Sequence, residues 1–190
     1  GDIFNHAIVY RAGYLKRRAA LPPATLPNEV AGPSGYCGLY HRSLFERLGL
    51  LEEAFGSYFE DADFNLRCQR AGHRCPLVKD AVVFHLGAAT GCGLSSDWSF
   101  QSGRNGVWFV RRHFGLGLDP RAFGQVVFHY ILKQLPPVLH GHAGNYHRLR
   151  GALAGMFGRC PRIFDAVPGG LADEVQRRLD DIWRRWDRCV

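Results

Sequence analysis

Three acids and a histidine are the residues best placed to do chemistry. Glu60, Asp61 and Asp63 stand together, and the spacing of Phe64, Leu66, Cys68 and Ala71 among Arg67, Gln69 and Arg70 predicts a helix that starts at these acids and stops at Gly72. A carboxylate within hydrogen-bond reach of a hydroxyl can take its proton as that oxygen attacks an electrophile. His85 ends the β-rich run Ala81 to Leu86, and α/β sheets commonly place their ligands at such strand ends. Plainer roles exist for each. Acids at a helix start satisfy orphan backbone N–H groups, Asp63 lies one turn from Arg67, and a strand-end histidine is often a hydrogen-bonded surface residue.

The elements that must position these residues read as mixed α/β first and helical later. Ala7 to Tyr10 is a short strand-like run with almost nothing before it, and residues 13–33, with prolines at 22, 23 and 27 and with Lys16-Arg17-Arg18, read as a long exposed loop. Gly35 to Tyr40 predicts a glycine-interrupted strand. Ser43 is expected as the N-cap of a short helix, with Glu46 as its capping-box partner and Gly49 as the stop. Cys75 to Val78 and Ala81 to Leu86 predict strand, turn and strand. After a small, polar loop the period becomes helical over Trp98 to Phe114, Pro120 to Leu139, Tyr146 to Phe157 and Leu171 to Trp186. The expected boundary separates residues 1–115 from a helical extension over 116–190. The abrupt start and the few strands predict the C-terminal portion of a larger α/β enzyme.

The ordered blocks Gly35-Tyr-Cys-Gly-Leu-Tyr-His-Arg-Ser-Leu-Phe-Glu-Arg-Leu-Gly, Tyr58-Phe-Glu-Asp-Ala-Asp-Phe-Asn-Leu-Arg, Ala71-Gly-His-Arg and Asp80-Ala-Val-Val-Phe-His-Leu-Gly resemble the acceptor-side half of glycosyltransferase family 2, within it the bacterial rhamnosyltransferase-like enzymes. Upstream, Gly1 to Val9 is similar to the strand after that family's nucleotide-binding region. Downstream, Gly103-Arg-Asn-Gly-Val-Trp-Phe-Val-Arg-Arg-His-Phe resembles its helix with an Arg-Asn pair. The resemblance implies a GT-A fold, that is, the last part of a Rossmann-like sheet followed by a helical tail. It implies inverting transfer of a sugar from a nucleotide diphosphate sugar to a glycan or lipid-linked acceptor hydroxyl in bacterial polysaccharide synthesis. In that reading Asp61 is the general base with Glu60 beside it, and Gly35, Tyr36, Gly38, Asp63, Arg104 and Asn105 contact substrate. His85 is the ligand to a divalent Mg²⁺ or Mn²⁺, which stabilises the leaving diphosphate as a Lewis acid. Two departures are plain. Asp61-Ala-Asp63 has the spelling of the family's metal-binding Asp-x-Asp but occupies the base position, and the nucleotide-binding half has no counterpart, so the isolated chain is expected to be inactive and prone to self-association. For Arg104 and Asn105, contact with a phosphate and a solvated helix N-terminus are equal alternatives.

Charge and composition bound the partners. The 190 residues carry 24 Lys and Arg against 17 Asp and Glu, a net +7. The excess is uneven, with ten basic and nine acidic groups in residues 1–96 but fourteen and eight in 97–190. A basic second half suits a nucleotide diphosphate, an acidic membrane surface or a nucleic acid. The last ranks lowest, because no RNA-binding or zinc-finger pattern accompanies the charge. A non-catalytic remnant or interaction module of the same fold is the runner-up to the enzyme. Six dispersed cysteines without a C-x-x-C pair read as reduced thiols in a cytoplasm, and Cys68, His73 and Cys75 lack zinc spacing. No segment is long and apolar enough to span a bilayer. Leu171, Val175, Leu179, Ile182 and Trp186 form one stripe, read as a packing face with peripheral contact at the inner face of the membrane as the alternative. The Phe123 to Leu139 stretch has the same ambiguity.

Overall fold

In the computed structural model the described residues are 2–5, 8–11, 28–81, 83, 96–115, 119–161 and 169–187. They are mostly helical, and their strands make only two-stranded antiparallel pairs. β1 (Asp2–Asn5) pairs with β2 (Ile8–Arg11), and β3 (Glu29–Val30) pairs with β4 (Cys75–Pro76), with Val30 opposite Cys75. The expected α/β architecture with a Rossmann-like GT-A sheet is therefore overturned.

The reasons are local. Gly35 to Tyr40 is not a strand but an exposed turn, closed by the Cys37 N–H donating to the Ser34 carbonyl at 3.0 Å. Its two glycines bring no side chain that a sheet face could bury. The run from Cys75 pairs with β3 over two residues only, with one further bond from the Leu77 N–H to the Asn28 carbonyl at 2.9 Å. Ala81 and Val83 are exposed outside any strand, whereas a parallel sheet would bury them on both faces.

The helices are α1 (Arg42–Leu48), α2 (Glu60–Arg70), α3 (Ser96–Phe114), α4 (Pro120–Val126), α5 (Leu135–Leu139), α6 (Ala143–Phe157) and α7 (Gly169–Asp187). α1 is capped by His41, whose Nδ1 accepts from the Ser43 N–H at 3.3 Å. Ser43 is thus inside the helix rather than its cap, and Glu46 pairs with Arg42 instead of closing a capping box. The stretch expected as one helix over 120–139 is broken into α4, a π-turn over Val127–Ile131, a 3₁₀ turn over Leu132–Gln134, and α5. Pro136 and Pro137 cannot bond one turn back and their rings crowd the carbonyls there, so the helix must restart.

The chain groups into two compact units that interleave along the sequence rather than dividing at residue 115. The first comprises Gly1–Leu51, Asp61–His85 and Val167–Val190. Its core holds Val30, Phe64 and Leu66, and also Val175, Leu179 and Ile182 from α7, so these three positions of the predicted stripe form a packing face. Phe45 stacks on Phe64 at 4.8 Å, and Tyr40 meets both rings edge-on. The second unit comprises Glu52–Glu60 and Leu86–Ala166. There α3 and α6 touch backbone to backbone: a Cβ on Gly103 would overlap the Arg148 carbonyl, and one on Gly151 the Phe100 carbonyl.

Candidate functional site

Helix α2 carries a buried polar stripe at every fourth residue: Asp61, Asn65 and Gln69. Each reaches the extended segment Ala31–Gly35. Gln69 Nε2 donates to the Ala31 carbonyl at 2.7 Å and Asn65 Nδ2 to the Pro33 carbonyl at 2.9 Å, while Asp61 Oδ2 accepts from the Gly35 N–H at 2.8 Å. The registers match because four helical residues rise about 6 Å and two extended residues span about 6.6 Å. A side chain from every helical turn therefore meets a backbone group from every second residue of the strand-like segment. Gly32 permits the approach, since a Cβ there would overlap the Asn65 side chain.

The far sides of the two amides are engaged as well. Tyr40 donates its hydroxyl to Asn65 Oδ1 at 2.8 Å, and Arg178 Nη2 donates to Gln69 Oε1 at 2.7 Å. Carbonyl acceptors on one side and donors on the other determine which way each amide points. The ladder thus gathers the 31–40 segment, α2 and α7 around buried polar groups that are hydrogen-bonded, the condition for burying them without a large penalty.

At one end of this ladder sits Asp61, 4% exposed. Its Oδ1 accepts from the Ala62 N–H at 2.8 Å, so both carboxylate oxygens hold backbone donors. Asp63 has a different task. Fully buried, it accepts from Arg67 Nε at 3.0 Å, and Arg67 donates onward to the Leu48 and Leu50 carbonyls at 2.6 and 2.8 Å. That pair ties the helix to the end of α1. Burial lowers the Arg70 pKa, and the Asp63 charge opposes the shift.

The segment that leads into Glu60 belongs to the second unit and is strained. Tyr58 and Phe59 have φ of 71° and 73°, a region that costs bulky residues about 1–3 kcal/mol each. Asn105 holds the segment in place: its Nδ2 donates to the Phe55, Ser57 and Tyr58 carbonyls at 2.8, 2.8 and 2.9 Å. Arg104 Nε donates to Asn105 Oδ1 at 3.0 Å and its Nη2 to the Phe55 carbonyl at 3.2 Å, with the guanidinium over the Trp108 ring. Burial lowers the Arg104 pKa. Further along α3, Arg112 Nη1 meets Glu52 Oε2 at 2.8 Å. Rings complete the support, Tyr58 edge-on to Trp98 and Phe59 against Phe109. Arg104 and Asn105 therefore lie in mid-helix rather than at a solvated helix N-terminus.

The structure joins two pairs of the predicted site positions directly, Asp61 with Gly35 and Arg104 with Asn105. Tyr36 and Gly38 lie in the exposed turn beyond, and Glu60 begins α2. Asp63 is committed to Arg67, and Asn105 to the 55–58 backbone. His85 lies outside the described residues. Among the described residues no group of three His, Cys, Asp or Glu side chains could hold a metal ion, and burial pushes the Cys68 thiol up to about 11. A small cavity of about 60 Å³, open to solvent, is lined by Glu29, Arg74, Arg178, Asp181, Ile182 and Arg185, none of them a predicted site residue. Asn65 and Gln69 were missed in the sequence, although polar residues at four and eight positions past Asp61 on a burying helix are a legible signal. Nothing in the residue types announces left-handed backbone at Tyr58 and Phe59.

No helix of the described residues is long and apolar enough to cross a membrane. No family model matches the chain, and no curated protein or solved structure matches it significantly.

Proposed function

We propose that this chain takes part in an inverting sugar transfer from a nucleotide diphosphate sugar to an acceptor hydroxyl, with Asp61 as the general base. One observation carries the reading. The Gly35 and Glu60-Asp61 blocks, which bear the resemblance to glycosyltransferase family 2, meet through a hydrogen bond on the Asp61 carboxylate. The neighbouring Asp63 is held by Arg67, so Asp61 is the better placed of the two to receive a proton. The reading rests on these residues and not on a sheet. Donor class, Mg²⁺ or Mn²⁺ at His85 and a glycan or lipid-linked acceptor come with the resemblance, and a cytoplasmic setting with the dispersed cysteines. The test is a transfer screen with nucleotide sugars and Mg²⁺ or Mn²⁺ on the product of the complete gene, alongside the 190-residue chain. Asp61→Asn keeps one of the two oxygens that accept backbone N–H groups while removing the proton acceptor, so transfer should fall about 100-fold or more, with the circular dichroism spectrum checking that the fold is retained. Near-normal turnover would refute the assignment.

A second reading, a non-catalytic interaction module, is favoured by the backbone bonds on both Asp61 oxygens. It expects no transfer by the complete gene product under any donor.

A further inference from the structure

Residues 120–164 contain no Asp or Glu, yet hold Arg121, Lys133, Arg148, Arg150, Arg159 and Arg162. Of these, Arg121, Lys133, Arg150 and Arg159 are exposed. The rod formed by α4, the π-turn, the 3₁₀ turn and α5 has two unlike faces. Ala122, Val126 and Gln134 are buried at four-residue intervals, and Tyr130, at the intervening position, lies where a Cβ on Gly106 would strike its ring. Gln134 anchors this face, donating to the His129 carbonyl at 2.8 Å and accepting from Asn145 Nδ2 at 2.9 Å. Phe128, Leu132, Leu135 and Leu139, all outside that register, are exposed by 55%, 51%, 39% and 85%. On α6, Tyr146, Leu153 and Phe157 repeat the pattern on an exposed stripe, with the Arg150 guanidinium over the Tyr146 ring at 5.7 Å.

Exposed leucines cost free energy in water, and exposed apolar residues in a stretch whose charged residues are all cations mark an interaction surface. A protein partner would need its own acidic, apolar groove. A nucleic acid would satisfy the charge, but Leu132, Leu135 and Leu139 offer no planar face for a base to stack on. Anionic lipid satisfies both features at once, headgroups meeting Lys and Arg while the leucines enter the acyl boundary. We propose that the Phe128–Leu139 face is a peripheral docking surface for an anionic membrane. The inference is independent of sugar transfer, which is assayed without lipid.

The test is co-sedimentation of the full chain with vesicles of equal parts phosphatidylglycerol and phosphatidylcholine, with phosphatidylcholine vesicles, and with a structured RNA as competitor. Saturable binding to the anionic vesicles and much weaker binding to the zwitterionic ones are expected. Leu132→Ser with Leu139→Ser should weaken binding about tenfold or more. Arg121→Glu with Lys133→Glu should do so by a similar factor and flatten the salt dependence. All four side chains are exposed, so the circular dichroism spectrum should not change, and each pair checks the other should one disturb folding. No vesicle binding, equal affinity for both vesicle types, or displacement by RNA with the leucine variant unimpaired would each overturn the proposal.

Discussion

Replacing Asn105 tests whether α3 clamps the strained entry to α2. Its amide has two hydrogens shared among three carbonyls at 2.8 to 2.9 Å, in a site with no solvent exposure. Asn105→Ala removes about two hydrogen bonds at about 1 kcal/mol each and leaves buried carbonyls without donors, so a cost of about 3 kcal/mol is expected. For a chain of this size that corresponds to a fall in Tm of about 6–12 °C. Asn105→Asp is the sharper variant, since it preserves shape while turning a donor into an acceptor facing three acceptors. It should cost at least as much at neutral pH, even with Arg104 Nε still beside the retained oxygen. Burial and the carbonyls would raise the folded-state pKa of that new carboxyl above the usual ~3.9. A raised acid pKa means the folded state binds the proton more tightly, so stability relative to wild type should recover as pH falls through the folded pKa and level off below about 3.9. Denaturant titrations of the three proteins across pH measure this directly. If Asn105→Asp is as stable as wild type at pH 7, the clamp is not what holds the Tyr58–Phe59 backbone.

Other variants probe the first unit. Arg67→Ala should destabilise by about 3–5 kcal/mol because Asp63 is left buried without its cation, while Asp63→Leu with Arg67→Met should recover much of the loss. Thermal melts of both variants beside the wild type check this, and Arg67→Ala within 1 kcal/mol of wild type would show that the pair is dispensable. Gly32→Ala should break the register of the ladder at Asn65, lowering the denaturation midpoint and speeding amide exchange over residues 31–35. Ordinary exchange there would mean that Asn65 moves aside at little cost. At pH 8 a thiol with its pKa near 11 is thiolate in only about one molecule in a thousand. Cys68 should therefore resist alkylation in the native protein while exposed Cys37 reacts, and mass spectrometry of labelled peptides reads the difference.

How much of this was legible in the sequence depends on the range of the interaction involved. α2 and α3 are readable because their apolar spacing and end signals are local, and the Gly49 stop is visible because the helix ends there in a left-handed turn that glycine adopts without strain. Asp63 with Arg67 was a readable pair for the same reason, one turn of helix apart. The tertiary structure alone decided the rest. Gly35 to Tyr40 has strand-like composition, but a strand exists only where a neighbour supplies its hydrogen bonds, and here the segment meets side chains of α2 instead, Asp61 at the Gly35 N–H and Asn65 at the Tyr40 hydroxyl. Likewise Asn105 looks like a polar residue at a helix start until the 55–58 carbonyls, nearly fifty residues earlier in the chain, arrive around it. Local propensity carries information about a residue's own turn of helix; which buried polar groups find each other is settled by packing, because only the assembled chain removes the water that would otherwise satisfy them.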